Sequence, residues 1–479
     1  MKSPKVFQLL QFLSREEQAA FRNYHLACSQ RANKSTIKLL EVLLRCTHAG
    51  GQNWDKHDLF KKAFPQRSFT DNFLRKVSSI LFADLRDFLV LEGLKAGGPA
   101  YDELFLKKLA ERGAEHLFQL SLQQATQRLD KRVEQDTPTI FHHYLLAEAA
   151  DQYFGRQQTR RSDPALQEKS DLLDAYFIAQ KLKIGCEMAN RNQIVDASYE
   201  PHLLPEVLEE LTKRPALLQF PPVALYRQVL YTLTERTNEQ HYEHLLQLLQ
   251  LHQHRFSPAE AADLYRYAQN YCIRKINTGD RSYLEKLFHL YQQQLENGTN
   301  MPDGILPTSD YKNIVTLGLQ LGQNDWVEQF LHTHKAYLVE DQRENVFNYT
   351  LASFYYSTKA YDQATELLNT VHFSDPYYEV NGKIMLLKIY LAEENFFSFY
   401  YLLDAFKIKL QRNQKVAASY RQSIVNFLTQ CRALAQLQEH HRIWSVERFT
   451  RKKERLREKL EHQKNIFDRR WLMARLARL

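Results

Sequence analysis

Apolar side chains recur every three or four residues through most of the chain, which is the spacing of one face of an α-helix. The clearest stripe lies on a long helix predicted to run from Thr70 or Asp71 to about Glu92, and it consists of Phe73, Leu74, Val77, Leu81, Leu85, Phe88 and Leu89. Only 14 glycines and 14 prolines interrupt the 479 residues, while helix-forming residues are abundant. The sequence therefore predicts an all-α protein.

Glycine and proline divide this helical pattern into segments. The strongest boundary is the run from Lys95 to Pro99, which contains two glycines and a proline. It ends a basic N-terminal helical module over 1–95. An irregular helical region over 100–220 follows, with helices predicted at about 100–112, 114–135, 138–158 and 165–195. Helical repeats over 221–440 and a basic C-terminal helix over 441–479 complete the predicted order.

Regular helix pairs are predicted from Pro221 onward. Each pair has a polar break followed by an aromatic residue near the start of its second helix, and these aromatic residues are Tyr242, Tyr283, Trp326, Tyr361 and Phe396. The intervals between them are 41, 43, 35 and 35 residues, so the last steps approach the period of about 34 residues found in tetratricopeptide repeats. This period predicts antiparallel helix pairs stacked into an α-solenoid.

One stretch, Asn345 to Pro376, resembles a single tetratricopeptide repeat. The residues at its landmark positions are Leu351, Ala352, Tyr355, Ala364, Leu368 and Pro376, with Asn348 in place of the usual Trp. The similarity is good over 311–414 and looser in the preceding helix pairs. Small residues such as Gly318 and Ala352 are expected to let neighbouring helices approach closely.

This resemblance implies a mode of action. Arrays of tetratricopeptide repeats hold extended peptides or helices of other proteins on a concave face that is lined by the first helix of each pair. The positions carried over to that face are Lys312, Val315, Val346, Tyr349, Ser353, Tyr356, Asn381, Ile384 and Lys388. Tyr349 and Tyr356 are favoured contacts because tyrosine contributes both area and a hydrogen bond, although core packing is the alternative role for both rings.

A second resemblance involves the two ends of the chain. The N-terminal pattern reads L-F-K-K-A-F-P, then T-D-N-F-L-R-K-V-S-S-I-L-F-A-D-L-R-D-F-L, and the ending contains N-I-F-D-R-R-W-L. Together they are similar to a family of uncharacterised bacterial helical-repeat proteins. The resemblance supports the helical organisation and implies no activity.

Charge is distributed unevenly around a net value of +8. Residues 1–98 contain 16 Lys and Arg against 9 Asp and Glu, and residues 441–479 contain 13 against 5, so the middle of the chain is acidic. Basic ends favour an anionic partner, or acidic surface on the same or a neighbouring copy. A solvated basic face is the alternative.

The basic N-terminal module also contains a short helix, a turn and a long helix over about 55–92, which is the order of a DNA-binding helix-turn-helix. The nearby cations are Lys61, Lys62, Arg67, Arg75 and Lys76. The connection over 65–69 is longer than the usual turn, and the long helix is strongly apolar on one side. We therefore favour a packing module over a DNA-reading element.

The C-terminal segment from His441 combines an apolar seam with many basic residues. The seam consists of Ile443, Val446, Phe449, Leu456, Leu460, Phe467, Trp471, Leu472 and Leu476. A helix that caps the last apolar surface of the repeats is the favoured interpretation. An amphipathic basic helix that binds a partner, a membrane surface or nucleic acid is the alternative.

The sequence contains no motif that is typical of an enzyme active site or a metal site. The five cysteines form no C-x-x-C pair, the N-terminus shows no secretion-signal pattern, and no apolar run approaches the roughly 18 residues of a membrane span, so we expect a cytoplasmic protein. No nucleotide, zinc-protease or hydrolase motif occurs. His241 and His244 could hold a metal with Glu239 or Glu243, but a polar helix surface is the favoured interpretation.

The predicted function is a non-enzymatic scaffold or adaptor, without cofactor or metal, that binds a peptide or helix of a partner protein through its repeats. The alternative is a transcriptional regulator or nucleic-acid-binding protein that uses the basic N-terminal module, with the repeats as sensor. The partner's identity and the oligomeric state stay open.

Overall fold

A computed structural model describes residues 4–48, 55–95, 97–156, 164–194, 198–235, 237–372, 376–412 and 416–479. These residues form 23 α-helices, joined by turns and short 3₁₀ segments, and contain no strand. The prediction of an all-α fold is confirmed. The chain divides into two compact units, one comprising Met1–Ile184 with Pro201–Ala224 and the other Gly185–Glu200 with Leu225–Leu479. No helix in the described ranges is long and apolar enough to cross a membrane.

The helices predicted from Thr70 or Asp71 and at about 100–112, 114–135, 138–158 and 165–195 begin close to the predicted positions. The helices of the first half are α1 (Lys5–Leu10), α2 (Arg15–Ala27), α3 (Lys34–His48), α4 (Lys56–Ala63), α5 (Asp71–Lys95), α6 (Pro99–Glu111), α7 (Glu115–Asp130), α8 (Thr137–Arg156), α9 (Pro164–Ile194), α10 (Leu204–Lys213) and α11 (Pro221–Thr234).

Helices α1 to α5 share one hydrophobic core, into which α5 buries Leu74, Leu81 and Leu85. A capping box starts α2: the Ser14 amide donates to Glu17 Oε2 at 2.6 Å and the Glu17 amide donates to Ser14 Oγ at 3.1 Å. This motif satisfies two amides that the first turn of a helix leaves unpaired. A separate small core joins α6, α7 and α8.

A buried polar network crosses the first core. His25 Nδ1 lies 2.7 Å from Asp84 Oδ2, and His25 Nε2 lies 2.9 Å from Thr36 Oγ1. Ser29 Oγ donates to Asp84 Oδ2 at 2.6 Å, and Arg31 Nη1 donates to Asp84 Oδ1 at 2.9 Å. The network ties α2 and α3 to α5, and it satisfies a carboxylate that would be costly to bury alone.

The second half contains the helix pairs and the C-terminal helices. They are α12 (Gln240–His252), α13 (Pro258–Asn277), α14 (Tyr283–Asn297), α15 (Thr308–Gln320), α16 (Asn324–His334), α17 (Arg343–Ser357), α18 (Tyr361–Thr370), α19 (Pro376–Ala392), α20 (Phe396–Arg412), α21 (Ala418–His440), α22 (Val446–His462) and α23 (Arg469–Ala477).

Successive helices pack as pairs in this unit: α13 with α14, α15 with α16, α17 with α18, and α19 with α20. The first helices of neighbouring pairs also pack together, α15 against α17 and α17 against α19. Trp326, Tyr361 and Phe396 lie at or near the starts of α16, α18 and α20, as their spacing predicted. Close approach depends on small residues, because Ala352 and Ala364 are fully buried between α17 and α18.

The same left-handed turn ends the first helix of three pairs. Its central residues, Gly322, Lys359 and Glu394, have φ of 72°, 66° and 57°. In each case the next amide donates to a carbonyl five residues earlier, at 2.9, 2.8 and 2.9 Å. This arrangement is the Schellman motif, which usually has glycine at the left-handed position because other residues are strained there.

The C-terminal segment does not form the single helix with one apolar seam that its sequence predicted over 441–479. It folds into two helices, α22 and α23, separated by a turn with left-handed residues at Asn465 and Asp468. Leu456, Leu460, Leu472 and Leu476 enter the core formed by α19, α20 and α21, so the predicted capping role is present. Ile443 and Val446 do not join that core, since they are 75% and 81% exposed.

Candidate functional site

A cavity of about 370 Å³ opens between the first helices of three successive pairs, and we call it the α15–α17–α19 cavity. Hydroxyl, amide, amino and aromatic groups form most of its wall. The lining residues are Thr308, Ser309, Lys312, Gln342, Asn345, Val346, Tyr349, Val371, His372 and Tyr378. Two predicted partner-binding residues, Lys312 and Tyr349, therefore share one concave surface.

A cation and two aromatic rings form the centre of the wall. Lys312 Nζ lies 3.1 Å from the ring centroid of Tyr378 and 5.7 Å from that of Tyr349. The two rings are 5.6 Å apart and nearly perpendicular. The ammonium group is attracted to the negative faces of both rings, which holds three helices in register at this point. Burial raises the pKa of the Tyr349 phenol, so it stays protonated.

Asn345 fixes another part of the wall. Its Oδ1 accepts a hydrogen bond of 2.8 Å from the His372 amide, and its Nδ2 donates to the His372 carbonyl. These two bonds tie the start of α17 to the segment that follows α18. Sequence reasoning did not predict Asn345, Gln342, His372 or Tyr378 as site residues. The only sequence feature that could have indicated one of them is the pair of tyrosines directly after Pro376.

Several positions carried over from the repeat pattern are not free to contact a partner. Val315 and Ile384 are 1% and 3% exposed and pack in the core, which corrects their placement on the exposed face. Val346 is also buried and forms the floor of the cavity. Ser353 is half-buried, and its Oγ donates to the Tyr349 carbonyl within its own helix at 3.0 Å, so its contact with a partner stays a prediction.

The remaining candidates face other parts of this same chain. The Lys388 ammonium group pairs with the Asp468 carboxylate and lies 5.0 Å from the Trp471 ring centroid. The Tyr420 hydroxyl donates to Asn381 Oδ1 at 3.3 Å. Burial raises the pKa of Tyr356, and a hydrogen bond with Trp471 opposes this shift. Lys388 and Tyr356 thus meet the C-terminal segment.

That segment is anchored by several polar bonds. Arg475 Nη2 donates to the Leu391 carbonyl at 3.3 Å and to Gln438 Oε1 at 3.2 Å. Asn465 Nδ2 donates to the Ser419 carbonyl at 3.1 Å, and Asn426 Nδ2 donates to the Asn465 carbonyl at 2.9 Å. The C-terminal segment therefore covers the surface that the first helices of the pairs form near α19 and α21, and it leaves the α15–α17–α19 cavity open.

The basic residues of the N-terminal module are partly neutralised within it. Arg75 and Lys56 both pair with Asp71, at 2.7 and 3.1 Å, and the hydrogen bond from Lys56 is the main cause that lowers the pKa of Asp71. The Arg67 guanidinium lies 4.8 Å from the Phe73 ring centroid. Since α5 buries its apolar stripe in the core, only its outer side is open for a ligand.

The candidate metal ligand His241 is engaged by other side chains. His241 Nε2 lies 2.8 Å from Glu235 Oε2, and the Gln228 amide nitrogen lies 3.2 Å from His241 Nδ1. Within the described part of the chain, no group of three or more His, Cys, Asp or Glu side chains has an arrangement that could hold a metal ion.

Neither family models, nor curated proteins, nor solved structures match the chain. The chemistry and geometry of the chain itself therefore carry the functional proposal that follows.

Proposed function

We propose that the protein is a non-catalytic adaptor that binds an extended peptide segment of a partner protein in the α15–α17–α19 cavity. The observation that carries the proposal is the cavity itself, because three first helices bring Lys312, Asn345, Tyr349 and Tyr378 to one concave surface. Its volume lies within the range of about 300–1,000 Å³ typical of ligand sites.

The chemistry of the wall suits a peptide. Backbone amides and carbonyls of an extended segment need hydrogen-bonding partners, which the hydroxyls of Thr308 and Ser309 and the amide of Gln342 supply. Tyr349 and Tyr378 add apolar area at small entropic cost because their rings are already held. The Lys312 ammonium group favours a partner segment with a carboxylate near this point.

Two variants test the proposal, one that fills the cavity and one that removes its positive charge. Ser309 is exposed at the cavity, so Ser309→Trp places a large ring in the space that a peptide would occupy. Lys312→Met removes the charge and keeps the length of the side chain. Gln329→Trp is the matched control, since Gln329 is exposed on the second-helix side, on α16.

The assay compares proteins captured from the native cell by the tagged wild-type chain and by each variant. We expect Ser309→Trp to lose a partner that Gln329→Trp retains, at equal melting temperature. Lys312→Met should lose the same partner, and its melting temperature shows how much its contacts with the Tyr349 and Tyr378 rings stabilise the fold. Synthetic peptides that tile this partner then locate the bound segment by fluorescence anisotropy. Equal capture of every partner by all variants would contradict the proposal.

A further inference from the structure

The helix α22 carries a row of cations along one side. Arg448, Lys452, Arg455 and Lys459 follow at intervals of four, three and four residues, which places them on one helical face over about 16 Å. Leu456 and Leu460 are buried against α21, so the orientation of the helix is fixed. The row is thus a property of the fold.

Two acidic residues of α22 pair with a cation outside the row. On α22, Glu454 and Glu461 both pair with Arg457, at 3.8 and 3.1 Å. Within the described residues, no carboxylate lies at ion-pair distance from the four cations of the row. Neighbouring cations of the row have Cβ atoms about 5–6 Å apart and repel each other, and an anionic ligand would relieve that repulsion.

A cleft of about 280 Å³ lies beside the row, between α21 and α22. Its lining includes Gln430, Gln436 and Trp444. Gln430 Nε2 donates to Gln463 Oε1 at 2.8 Å, whereas Gln436 is exposed. The Trp444 ring stacks on His440 at 4.9 Å, and Lys452 Nζ lies 4.5 Å from the Trp444 ring centroid. The cleft therefore combines an aromatic ring, amide groups and positive charge.

We propose that α21 and α22 bind single-stranded nucleic acid. Phosphate groups bind the cations of the row, since a phosphodiester chain offers negative charges at a spacing comparable to one helical turn. A base enters the cleft, where it contacts Trp444 and exchanges hydrogen bonds with the exposed amide of Gln436. Basic grooves with aromatic side chains are the usual means of binding single strands without strict sequence preference.

Two other polyanions fit less well. An acidic peptide matches the cations but has no planar ring with polar edges to fill a cleft lined by indole and amide groups. A duplex keeps its bases paired, so no base reaches the cleft without strand separation. The site lies outside the α15–α17–α19 cavity and is independent of the proposed adaptor function.

The test uses the full chain and fluorescence anisotropy with a labelled 20-nucleotide oligo(dT) at 50 to 200 mM salt. The cleft variant replaces Lys452, Arg455 and Lys459 by Gln. The control variant replaces three other exposed cations, Arg451, Lys464 and Arg470, by Gln, so both lose the same charge. Melting followed by circular dichroism checks the fold, and Arg455→Gln alone replaces the triple variant if the latter melts early.

Binding by the wild-type chain at 50 mM salt is expected, with at least tenfold weaker binding by the cleft variant. The dependence of log affinity on log salt should become shallower by about 2, since each phosphate contact on a single strand contributes roughly 0.7. For Arg455→Gln alone the change is about 0.7. The control variant should retain most of the affinity.

Three further probes decide the nature of the ligand: an abasic 20-mer, a 20-base-pair duplex and a 20-residue poly-glutamate. Each should bind more weakly than oligo(dT), and Trp444→Ala should reduce binding of oligo(dT) more than that of the abasic strand. Equal binding of the abasic strand, equal binding of the duplex, or equal competition by poly-glutamate would overturn the proposal. So would equal losses in the cleft and control variants, or absent binding by the wild-type chain.

Discussion

Gly318 of α15 stands where two neighbouring helices leave no room for a side chain. A Cβ atom added there would lie 2.4 Å from Val327 Cγ2 on α16 and 3.3 Å from Phe288 Cε2 on α14. Val327 cannot easily move aside, because its β-branched side chain has one strongly preferred rotamer in a helix. The Gly318→Ala substitution therefore tests whether the helix pairs pack as closely as the structure shows.

The expected change in the free energy of unfolding of Gly318→Ala follows from two opposing contributions. Alanine stabilises an open helical position by about 1 kcal/mol relative to glycine. Overpacking of a filled core costs about 1–3 kcal/mol. Gly93, on α5, has no atom within 4 Å of the added Cβ, so Gly93→Ala should show the stabilising contribution alone. Relative to this control, Gly318→Ala should lower the free energy of unfolding by about 1–3 kcal/mol.

Thermal unfolding followed by circular dichroism and tryptophan fluorescence provides the measurement. Trp326, one of four tryptophans, lies beside the substituted position, since its ring is 4.9 Å from that of Phe288. A double-mutant cycle with Val327→Ala isolates the contact, because the new methyl group at 318 then occupies the space that the lost valine methyls leave. We expect a favourable coupling of about 1–3 kcal/mol between the two substitutions.

Two results would refute the reasoning. If Gly318→Ala raised the melting temperature as Gly93→Ala does, α15 and α16 would be farther apart than the structure places them. If the double variant showed no coupling, the cost of Gly318→Ala would arise from something other than the contact with Val327.

The remaining predictions concern one turn, one ion pair and one histidine. Lys359→Gly should raise the melting temperature, since relief of left-handed strain contributes about 1 kcal/mol, and an unchanged or lower value would contradict this. Asp468→Asn leaves the Lys388 ammonium group, 12% exposed, without its counter-charge, so amide hydrogen exchange in residues 463–479 should accelerate. Glu461→Gln, which removes an exposed ion pair, is the control. Equal exchange rates in both variants would count against the role of the Lys388–Asp468 pair. Burial lowers the pKa of His334, so near pH 6.5 and below the unfolded chain binds a proton that the folded chain does not. The contribution of His334 to stability is therefore greatest above that pH and falls as pH decreases. His334→Gln should make the melting temperature less dependent on pH between 5 and 7. An unchanged pH dependence in the variant would exclude His334 as its source.

The helices and their pairing could be predicted from the sequence because both depend on patterns within a few residues. A three-to-four residue apolar spacing defines a helix face wherever it occurs, and the aromatic residues Trp326, Tyr361 and Phe396 each follow a local break. The capping box at Ser14 and Glu17 was equally local. The three successive pairs from α15 to α20 thus lie where the period placed them.

The candidate site was predicted only in part. Lys312 and Tyr349 do line one cavity, because the repeat pattern places both on first helices. Asn345 and Tyr378 were missed, since their role depends on how α17 and α19 meet rather than on either helix alone. His25 and Asp84 form a buried network across 59 residues of sequence, which no local pattern indicates.

The C-terminal segment shows the physical reason for this limit. Its sequence determined an amphipathic basic stretch and favoured its packing against the end of the repeats, because leucines at helical spacing form an apolar face. Only the tertiary structure decided that the stretch breaks at Asn465 and Asp468, that Asp468 meets Lys388 across 80 residues, and that α22 turns its row of cations toward a cleft. Helical spacing is encoded in neighbouring residues, whereas the choice of which surface is covered depends on the packing of segments far apart in the chain.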